Sequence, residues 1–129
     1  NYGNWPNSPI RPDDFAELYS AATGLERSAD DMVRSAARIV NLEKAFNVRE
    51  GWCRNDDAPP ERWIKEPQPN SGTKGEHVHP VEFQGMLDEY YTRRGWDRKT
   101  GLPRRETLET LGLDYVADEL AAMGRLAEE

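Results

Sequence analysis

The sequence predicts an all-α protein, an irregular bundle of several helices with a long loop rich in proline and glycine. Apolar residues recur three and four positions apart in several segments, which is the spacing of one helix face. No segment alternates apolar and polar residues as a half-buried strand would. Prolines and glycines stand mainly between the helical segments, where they end helices and form turns.

A chain of 129 residues accommodates one domain or part of one. We predict an irregular N-terminal arm over residues 1–11 and a helical domain over residues 12–129. The first helix begins at Pro12, because a proline in the first turn loses no hydrogen bond. Gly24 is the expected end of this helix.

A second helix is predicted from Ala29 to Val48, with Gly51 after it. The pair Ser28 and Asp31 is typical of a helix start, since each side chain can bond to the other residue's backbone N–H. The predicted apolar stripe of this helix consists of Met32, Ala36, Ile39, Val40 and Phe46.

Residues 52–80 are predicted to form the long loop, because their prolines exclude a long helix. A short helical turn is expected at 60–64, with Trp63 and Ile64 holding the loop to a surface. Further helices are predicted over 80–93 and 103–111. A last helix begins after Leu113.

The amino-acid composition limits the size of the apolar core and the kinds of molecule that the chain can bind. Hydrophobic residues make up 36% and charged residues 32% of the chain, compared with about 25% charged residues in a typical domain. The net charge of -7 argues against nucleic acid, which requires a basic surface. A local cluster of arginines and a lysine at 93–105 is interpreted as a solvated face.

A single cysteine, Cys53, excludes an internal disulfide and fits a reducing compartment. No apolar run approaches the roughly 20 residues that span a bilayer. No signal peptide is visible. We therefore predict a cytoplasmic protein.

The end of the second helix is the main candidate site. Asn47, Arg49 and Glu50 place an amide, a guanidinium and a carboxylate just before Gly51. One interpretation is that the three side chains line a cofactor or substrate channel. The other is a network of polar caps that fixes the long loop.

Two further groups of residues are candidate chemical sites. His77 and His79 share one face of an extended segment and could offer two imidazoles to a metal, with Glu76 and Glu82 nearby. A catalytic zinc site usually takes three protein ligands, however, so a solvated loop is the competing interpretation. Cys53 beside Arg54 is either a reactive thiol or a partly buried inert one.

Several short segments, in order, resemble the C-terminal domain of the tungsten- or molybdenum-pterin aldehyde:ferredoxin oxidoreductase family. They include the Ala-Ala-Thr-Gly helix end and Phe-Asn-Val-Arg-Glu-Gly at the end of the second helix. The resemblance extends over roughly residues 12 to 120. The matching segments are residues 12–24, 38–39, 41–43, 46–51, 56–57, 86–91, 94–97, 101–103 and 111–113.

The resemblance implies a C-terminal helical fragment of an enzyme that oxidises aldehydes to carboxylic acids with ferredoxin as electron acceptor. Relatives include a subunit of benzoyl-CoA reductases. The parent would hold a tungsten or molybdenum bis-pterin and a 4Fe-4S cluster. The cluster motif Cys-x-x-Cys-x-x-x-Cys does not occur here. The resemblance therefore implies no cofactor, metal ligand or catalytic residue on this fragment, which is expected to be inactive alone.

The implied partners are the remainder of the parent enzyme and, for the parent, ferredoxin. Asn47, Arg49 and Glu50 become candidates for lining the substrate channel. Two alternatives stay open at this point. One is a stand-alone acidic helical module for protein interaction, and the other is a small metal-binding protein that uses His77 and His79.

Overall fold

The structure is a computed structural model that describes residues 10–69, 72 and 74–128. Nearly all of the predicted N-terminal arm lies outside the described residues. Within them, β structure is limited to an isolated bridge between Trp96 and Pro103, so the predicted all-α class is confirmed. The helices are α1 (Pro12–Thr23), α2 (Ala29–Arg49), α3 (Glu61–Lys65), α4 (Pro80–Arg94), α5 (Arg105–Thr110) and α6 (Asp114–Ala122), with a 3-10 turn at Arg54–Asp57.

The chain divides into two compact units, one ending at Leu42 and the other beginning at Glu43. In the first unit, α1 ends at Gly24, whose left-handed backbone (φ 74°) lets its N–H donate to the carbonyl of Ser20. At the start of α2, the Ser28 hydroxyl accepts the Asp31 N–H at 3.1 Å, and the Asp31 carboxylate accepts the Ser28 N–H at 3.0 Å. These two bonds form the capping arrangement that the sequence predicts.

The core of the second unit lies around α5 and α6, which pack against each other. Leu108, Leu113 and Ala117 are fully buried, and Val48 near the end of α2 is buried to the same extent. The turn between α5 and α6 is closed by the Leu113 N–H, which donates to the carbonyl of Leu108 at 2.8 Å. This core fixes the end of α2 within the second unit.

The buried face of α2 differs from the apolar stripe that the sequence suggests. Ile39 and Phe46 are 57% and 56% exposed. The buried positions follow the helical spacing i, i+3, i+4 and i+7 on another face and include two polar residues; they are Asn41, Lys44, Ala45 and Val48. The face that packs is thus chosen by specific polar contacts as well as by apolar content.

The long loop contains α3 where a short helical turn is predicted, and a 3-10 turn that was not predicted. The Arg54 N–H donates to the carbonyl of Thr100 at 2.9 Å, which joins the loop to the turn after α4. The Val78 N–H donates to the carbonyl of Trp63 at 2.8 Å. The Trp63 side chain is 56% exposed, so its ring is only partly packed and backbone bonds also hold this segment.

No helix among the described residues is long and apolar enough to cross a membrane.

Candidate functional site

The end of α2 places Arg49 among two carboxylates and an aromatic ring. Its Nε lies 3.1 Å from Oε1 of Glu50, and its Nη1 lies 3.8 Å from Oε1 of Glu119 on α6. The guanidinium carbon lies 4.9 Å from the centre of the Phe46 ring. Arginine in the last turn also interacts favourably with the helix dipole. Glu50, a carboxylate at the unfavourable end of the helix dipole, is therefore paired with the guanidinium of Arg49.

Both ion pairs of Arg49 are exposed, since the side chains of Arg49, Glu50 and Glu119 are 41%, 60% and 50% exposed. Pairs of this kind contribute about 0–1 kcal/mol to stability. They orient the guanidinium without burying it. The group therefore stays available to a molecule or a protein surface that approaches this end of α2.

Asn47, the third predicted residue, is exposed on α2. Its carbonyl oxygen accepts the Trp52 N–H at 2.9 Å, which helps to end the helix. The structure thus brings Arg49 and Glu50 into direct contact and places Asn47 beside them. Whether these residues line a channel stays a prediction.

Exposed apolar side chains surround the ion pairs. Phe46 is 56% exposed, and Tyr115 and Met123, four residues to either side of Glu119, are 60% and 51% exposed. The opposite side of α6 is buried through Val116, Ala117 and Leu120. We define the Arg49 surface as the following six residues: Phe46, Arg49, Glu50, Tyr115, Glu119 and Met123.

A second polar cluster, which sequence analysis missed, is centred on Asp57. The Asp57 carboxylate accepts the Trp52 indole N–H at 2.8 Å, the Tyr91 hydroxyl, and the Lys44 ammonium at 3.2 Å. Lys44 is only 6% exposed, and its ammonium lies 4.9 Å from the centre of the Trp96 ring. The cluster joins α2, the long loop and α4.

The Asp57 cluster shifts the pKa of two of its members. Burial raises the pKa of Asp57, but the hydrogen bonds from Tyr91, Trp52 and Lys44 outweigh burial and hold it below its usual value. Burial raises the pKa of the Tyr91 hydroxyl, and the hydrogen bond to the Asp57 carboxylate raises it further. The cluster therefore holds an ionised carboxylate and a neutral phenol over the ordinary pH range.

Arg54 continues these contacts along α4. Its Nη1 lies 2.7 Å from Oδ1 of Asp88, and its Nη2 donates to Oε1 of Gln84 at 2.6 Å. Its guanidinium carbon lies 5.3 Å from the centre of the Tyr91 ring. The loop after α2 is thus attached to α4 by several charged contacts. Polar groups therefore fix the loop, as one interpretation of the sequence expects. The residues that make these contacts are Asp57 and Arg54 and not Asn47, Arg49 and Glu50.

The histidine segment lies by a shallow cleft of about 350 Å³, lined by Trp63, Gln68, Glu76, His77 and Val78. The ring centres of His77 and His79 are 6.5 Å apart. His79 occupies the N-cap position of α4 without a side-chain bond to the helix. Among the described residues, no three His, Cys, Asp or Glu side chains converge to hold a metal ion.

Cys53 is partly buried and precedes the 3-10 turn. Its N–H donates to the carboxylate of Asp56 at 2.8 Å. That bond is the first cause of the lowered pKa of Asp56. Cys53 therefore has a local structural role at the start of the turn.

Comparison with known proteins assigns the chain to a family. A family model described as aldehyde ferredoxin oxidoreductase, domains 2 and 3, matches residues 3–113. The chain belongs to this family. The resemblance identified from the sequence segments is thereby confirmed.

Tungsten-containing aldehyde ferredoxin oxidoreductases are among the relatives. Those of Pyrococcus furiosus and Pyrococcus horikoshii are 37% identical to this chain, over 102 and 103 residues. The alignments cover 78% and 79% of this chain but 16% of each relative. The chain therefore spans only a small part of the length of these aldehyde ferredoxin oxidoreductases.

A solved relative has the same arrangement of helices. It is the active-site complex BamBC of benzoyl coenzyme A reductase, with 1,5-dienoyl-CoA bound. The match has a TM-score of 0.75 and 30% sequence identity, and it covers 95% of this chain and 17% of the other. The aldehyde ferredoxin oxidoreductase family and this reductase subunit therefore share the fold of this segment.

The cysteine content of this segment does not suffice for the iron–sulfur cluster that the resemblance implies. A 4Fe-4S cluster takes four cysteine thiolates, and Cys53 is the only cysteine of the sequence. The described residues also lack a convergent group of three possible metal ligands. The expectation that the segment itself carries no cofactor stays a prediction.

Proposed function

We propose that this chain is the C-terminal helical part of a tungsten- or molybdenum-pterin, iron–sulfur oxidoreductase. The parent enzyme oxidises aldehydes to carboxylic acids and uses ferredoxin as electron acceptor. The observation that carries the proposal is the family match over residues 3–113. The alignments with the tungsten-containing relatives cover only 16% of each relative, which supports a longer parent enzyme. A stand-alone interaction module is not favoured by these matches.

In this proposal the metal chemistry comes from the remainder of the parent, and the present segment supplies a wall of the substrate channel. Asn47, Arg49 and Glu50 are the residues proposed to face the channel. Their exposure and the preoriented guanidinium of Arg49 support this role. A protein wall contributes access, orientation and electrostatics, whereas the cofactor carries the redox chemistry.

The first experiment concerns the parent itself. The polypeptide that contains this sequence is purified at its full encoded length, and its tungsten, molybdenum and iron contents are measured. The proposal expects a longer polypeptide with tungsten or molybdenum and several irons per chain, and aldehyde-dependent reduction of ferredoxin. A polypeptide of this length only, without these metals, would refute the proposal.

The second experiment concerns the channel. Arg49→Gln in the parent is expected to raise KM for a negatively charged aldehyde several-fold while kcat changes little, because the variant removes a positive charge. The physical reason is that a wall residue acts on entry and binding more than on the chemical step. Arg105→Gln is the matched control, because Arg105 also bridges two exposed carboxylates, those of Glu109 and Asp118. Equal kinetic constants for both variants would refute the proposal that Arg49 lines the channel.

The match to the benzoyl coenzyme A reductase complex supports a second candidate, the reduction of an aromatic thioester. The same purified parent distinguishes the two candidates. Oxidation of 1,5-dienoyl-CoA without aldehyde oxidation would favour the second, and the reverse result would favour the first.

A further inference from the structure

Polar contacts tie the segment that follows α2 back onto the last turns of that helix. The Trp52 backbone N–H donates to the carbonyl of Asn47 at 2.9 Å, and its indole N–H donates to Oδ1 of Asp57 at 2.8 Å. Oδ2 of Asp57 lies 3.2 Å from the ammonium of Lys44, which is about one helical turn before Asn47. The chain over 44–57 therefore forms a closed segment whose two ends meet at the Asp57 carboxylate.

Arg49 and Glu50 lie inside this closed segment. Their side-chain ion pairs are exposed and hold the side chains only weakly. The backbone is better fixed, because the Glu50 N–H donates to the carbonyl of Phe46 at 3.2 Å and the Gly51 N–H to that of Val48 at 3.0 Å. The direction of the two side chains thus depends mainly on how firmly the end of α2 is held.

The Asp57 carboxylate uses both of its oxygens to close the segment. Oδ1 accepts the Trp52 indole N–H, and Oδ2 accepts the Lys44 ammonium and the Tyr91 hydroxyl. An asparagine has a single acceptor oxygen, so its NH2 group would face another donor on one side. Asp57→Asn therefore keeps the size of the side chain but releases one side of the closure.

We propose that Asp57 is a positioning residue for the reaction of the parent enzyme. Through Lys44 and Trp52 it holds the end of α2, and with it the direction in which Arg49 and Glu50 face the substrate. This inference rests on the proposed function, which places Arg49 and Glu50 on the channel. Asp57 acts through its partners and does not itself contact the substrate.

Steady-state kinetics of the full-length parent with a negatively charged aldehyde test the inference. Asp57→Asn is expected to raise KM several-fold while kcat changes little, because a displaced guanidinium weakens binding more than the chemical step. A purely structural role would lower the amount of folded enzyme and leave its KM unchanged. An unchanged KM for Asp57→Asn, beside a raised KM for Arg49→Gln, would overturn the inference and leave the proposed function intact.

Asp97→Asn is the matched control. The Asp97 side chain is 22% exposed, compared with 26% for Asp57, and it also accepts several hydrogen bonds. Its donors lie at positions 99–104, away from the end of α2 in the chain. The control is expected to leave KM unchanged. A rise in KM equal to that of Asp57→Asn would overturn the inference.

A double variant tests whether Asp57 acts through Arg49. In an Arg49→Gln enzyme, the further change Asp57→Asn should raise KM much less than it does in the unsubstituted enzyme, because no guanidinium is left to position. An undiminished further rise would overturn the inference. If Arg49→Gln alone leaves KM unchanged, the channel role of Arg49 and this inference both fail.

Amide hydrogen exchange in the full-length parent supplies a readout that is independent of activity. In Asp57→Asn, the peptide over 47–53 is expected to exchange several-fold faster, since exchange reports local opening of the bonded N–H groups. The peptide over 114–122, which is α6, should keep its rate. An unchanged rate over 47–53, or equal acceleration of both peptides, would overturn the inference.

Trp52→Phe keeps the inference testable if Asp57→Asn does not fold. This variant keeps an aromatic ring and removes the indole N–H that donates to Asp57, while the backbone bond to Asn47 remains. We expect a smaller rise in KM and faster exchange over 47–53. Unchanged values of both quantities would overturn the inference.

Discussion

Lys44 is buried, although lysine side chains are usually exposed to solvent. Lysine is almost never fully buried without a partner, yet Lys44 is 6% exposed because Asp57 lies 3.2 Å from its ammonium. Two aromatic rings cover the same ammonium, with centres 4.9 Å and 5.4 Å away for Trp96 and Tyr91. The buried ion pair joins α2 to the long loop, and the phenol joins both to α4.

The Asp57 cluster predicts a large loss of stability for Asp57→Ala. The variant leaves the buried Lys44 ammonium and the Tyr91 hydroxyl without their acceptor, so the free energy of unfolding should fall by about 3 kcal/mol. Urea unfolding of the chain followed by tryptophan fluorescence measures it. Asp118→Ala is the control, because that carboxylate is 73% exposed and should cost about 0.5 kcal/mol. Similar losses for both variants would contradict the assigned importance of the cluster.

The lowered pKa of Asp57 also predicts a pH dependence. A carboxyl group with a lower pKa in the folded state stabilises above its unfolded pKa, and this contribution is lost as pH falls through the folded value. The difference in free energy of unfolding between the unsubstituted 129-residue chain and its Asp57→Asn variant should therefore be largest above about pH 5. It should shrink below that pH. Urea midpoints across the acid range measure the difference. A constant difference would mean that the carboxylate gains nothing from its partners.

At the scale of elements, helix ends follow local sequence and helix faces do not. The end of α4 is set by Gly95, whose left-handed backbone (φ 70°) stops the helix. Its contact with α5 was not visible from the sequence. The Thr107 hydroxyl donates to the Gly95 carbonyl at 2.9 Å, which fixes α5 against the end of α4.

Gly95→Ala is expected to destabilise the second unit more than Gly124→Ala. Both glycines have a left-handed backbone, at φ 70° and 65°, so each alanine costs about 1 kcal/mol of strain. A methyl group at Gly95 would also lie 2.1 Å from the Thr107 hydroxyl oxygen. A methyl group at Gly124 would have no atom from beyond its chain neighbours within 4 Å. Overpacking of this kind adds about 1–3 kcal/mol.

Thermal unfolding of the two glycine variants measures the difference. Gly95→Ala should cost less in a Thr107→Ala chain than in the unsubstituted chain, because the nearest side-chain atoms are then absent and the Thr107 bond is missing from both members of that comparison. An equal cost in the two chains would assign the loss to backbone strain alone.

At the scale of the whole molecule, the chain matches the family model but spans only 16% of the length of its aldehyde ferredoxin oxidoreductase relatives. The segment has a net charge of -7 and 36% hydrophobic residues. Many of its large apolar side chains are exposed, including Leu18 and Val81 at 63% and 74%. Larger exposed apolar patches mark interaction sites, which is consistent with a segment that works inside a larger enzyme.

The chain alone is predicted to have no aldehyde oxidation activity, because the redox chemistry of such an enzyme belongs to its cofactor. The 129-residue chain, supplied with aldehyde and a viologen dye, should show no dye reduction above buffer. The full-length polypeptide under the same conditions is the positive control. Turnover by the short chain, surviving repeated purification, would contradict the assignment of the chemistry to the remainder.

The sequence by itself determined the helical class, the helix boundaries to within one or two residues, and the family. Capping residues such as Ser28 and stop residues such as Gly95 act over a few positions, so they can be read locally. Many short matching segments, in the same order along residues 12 to 120, were together sufficient to identify the family. The sequence also named Arg49 and Glu50 as neighbours, because they are adjacent in the chain.

Only the tertiary structure decided which face of α2 is buried and which charged groups meet. Periodicity defines the faces of a helix, but the partner elements select the one that packs. Asp57 and Tyr91 are 34 positions apart, and Arg49 meets Glu119 from a different helix. Such contacts depend on the packing of several elements at once, which no local pattern encodes.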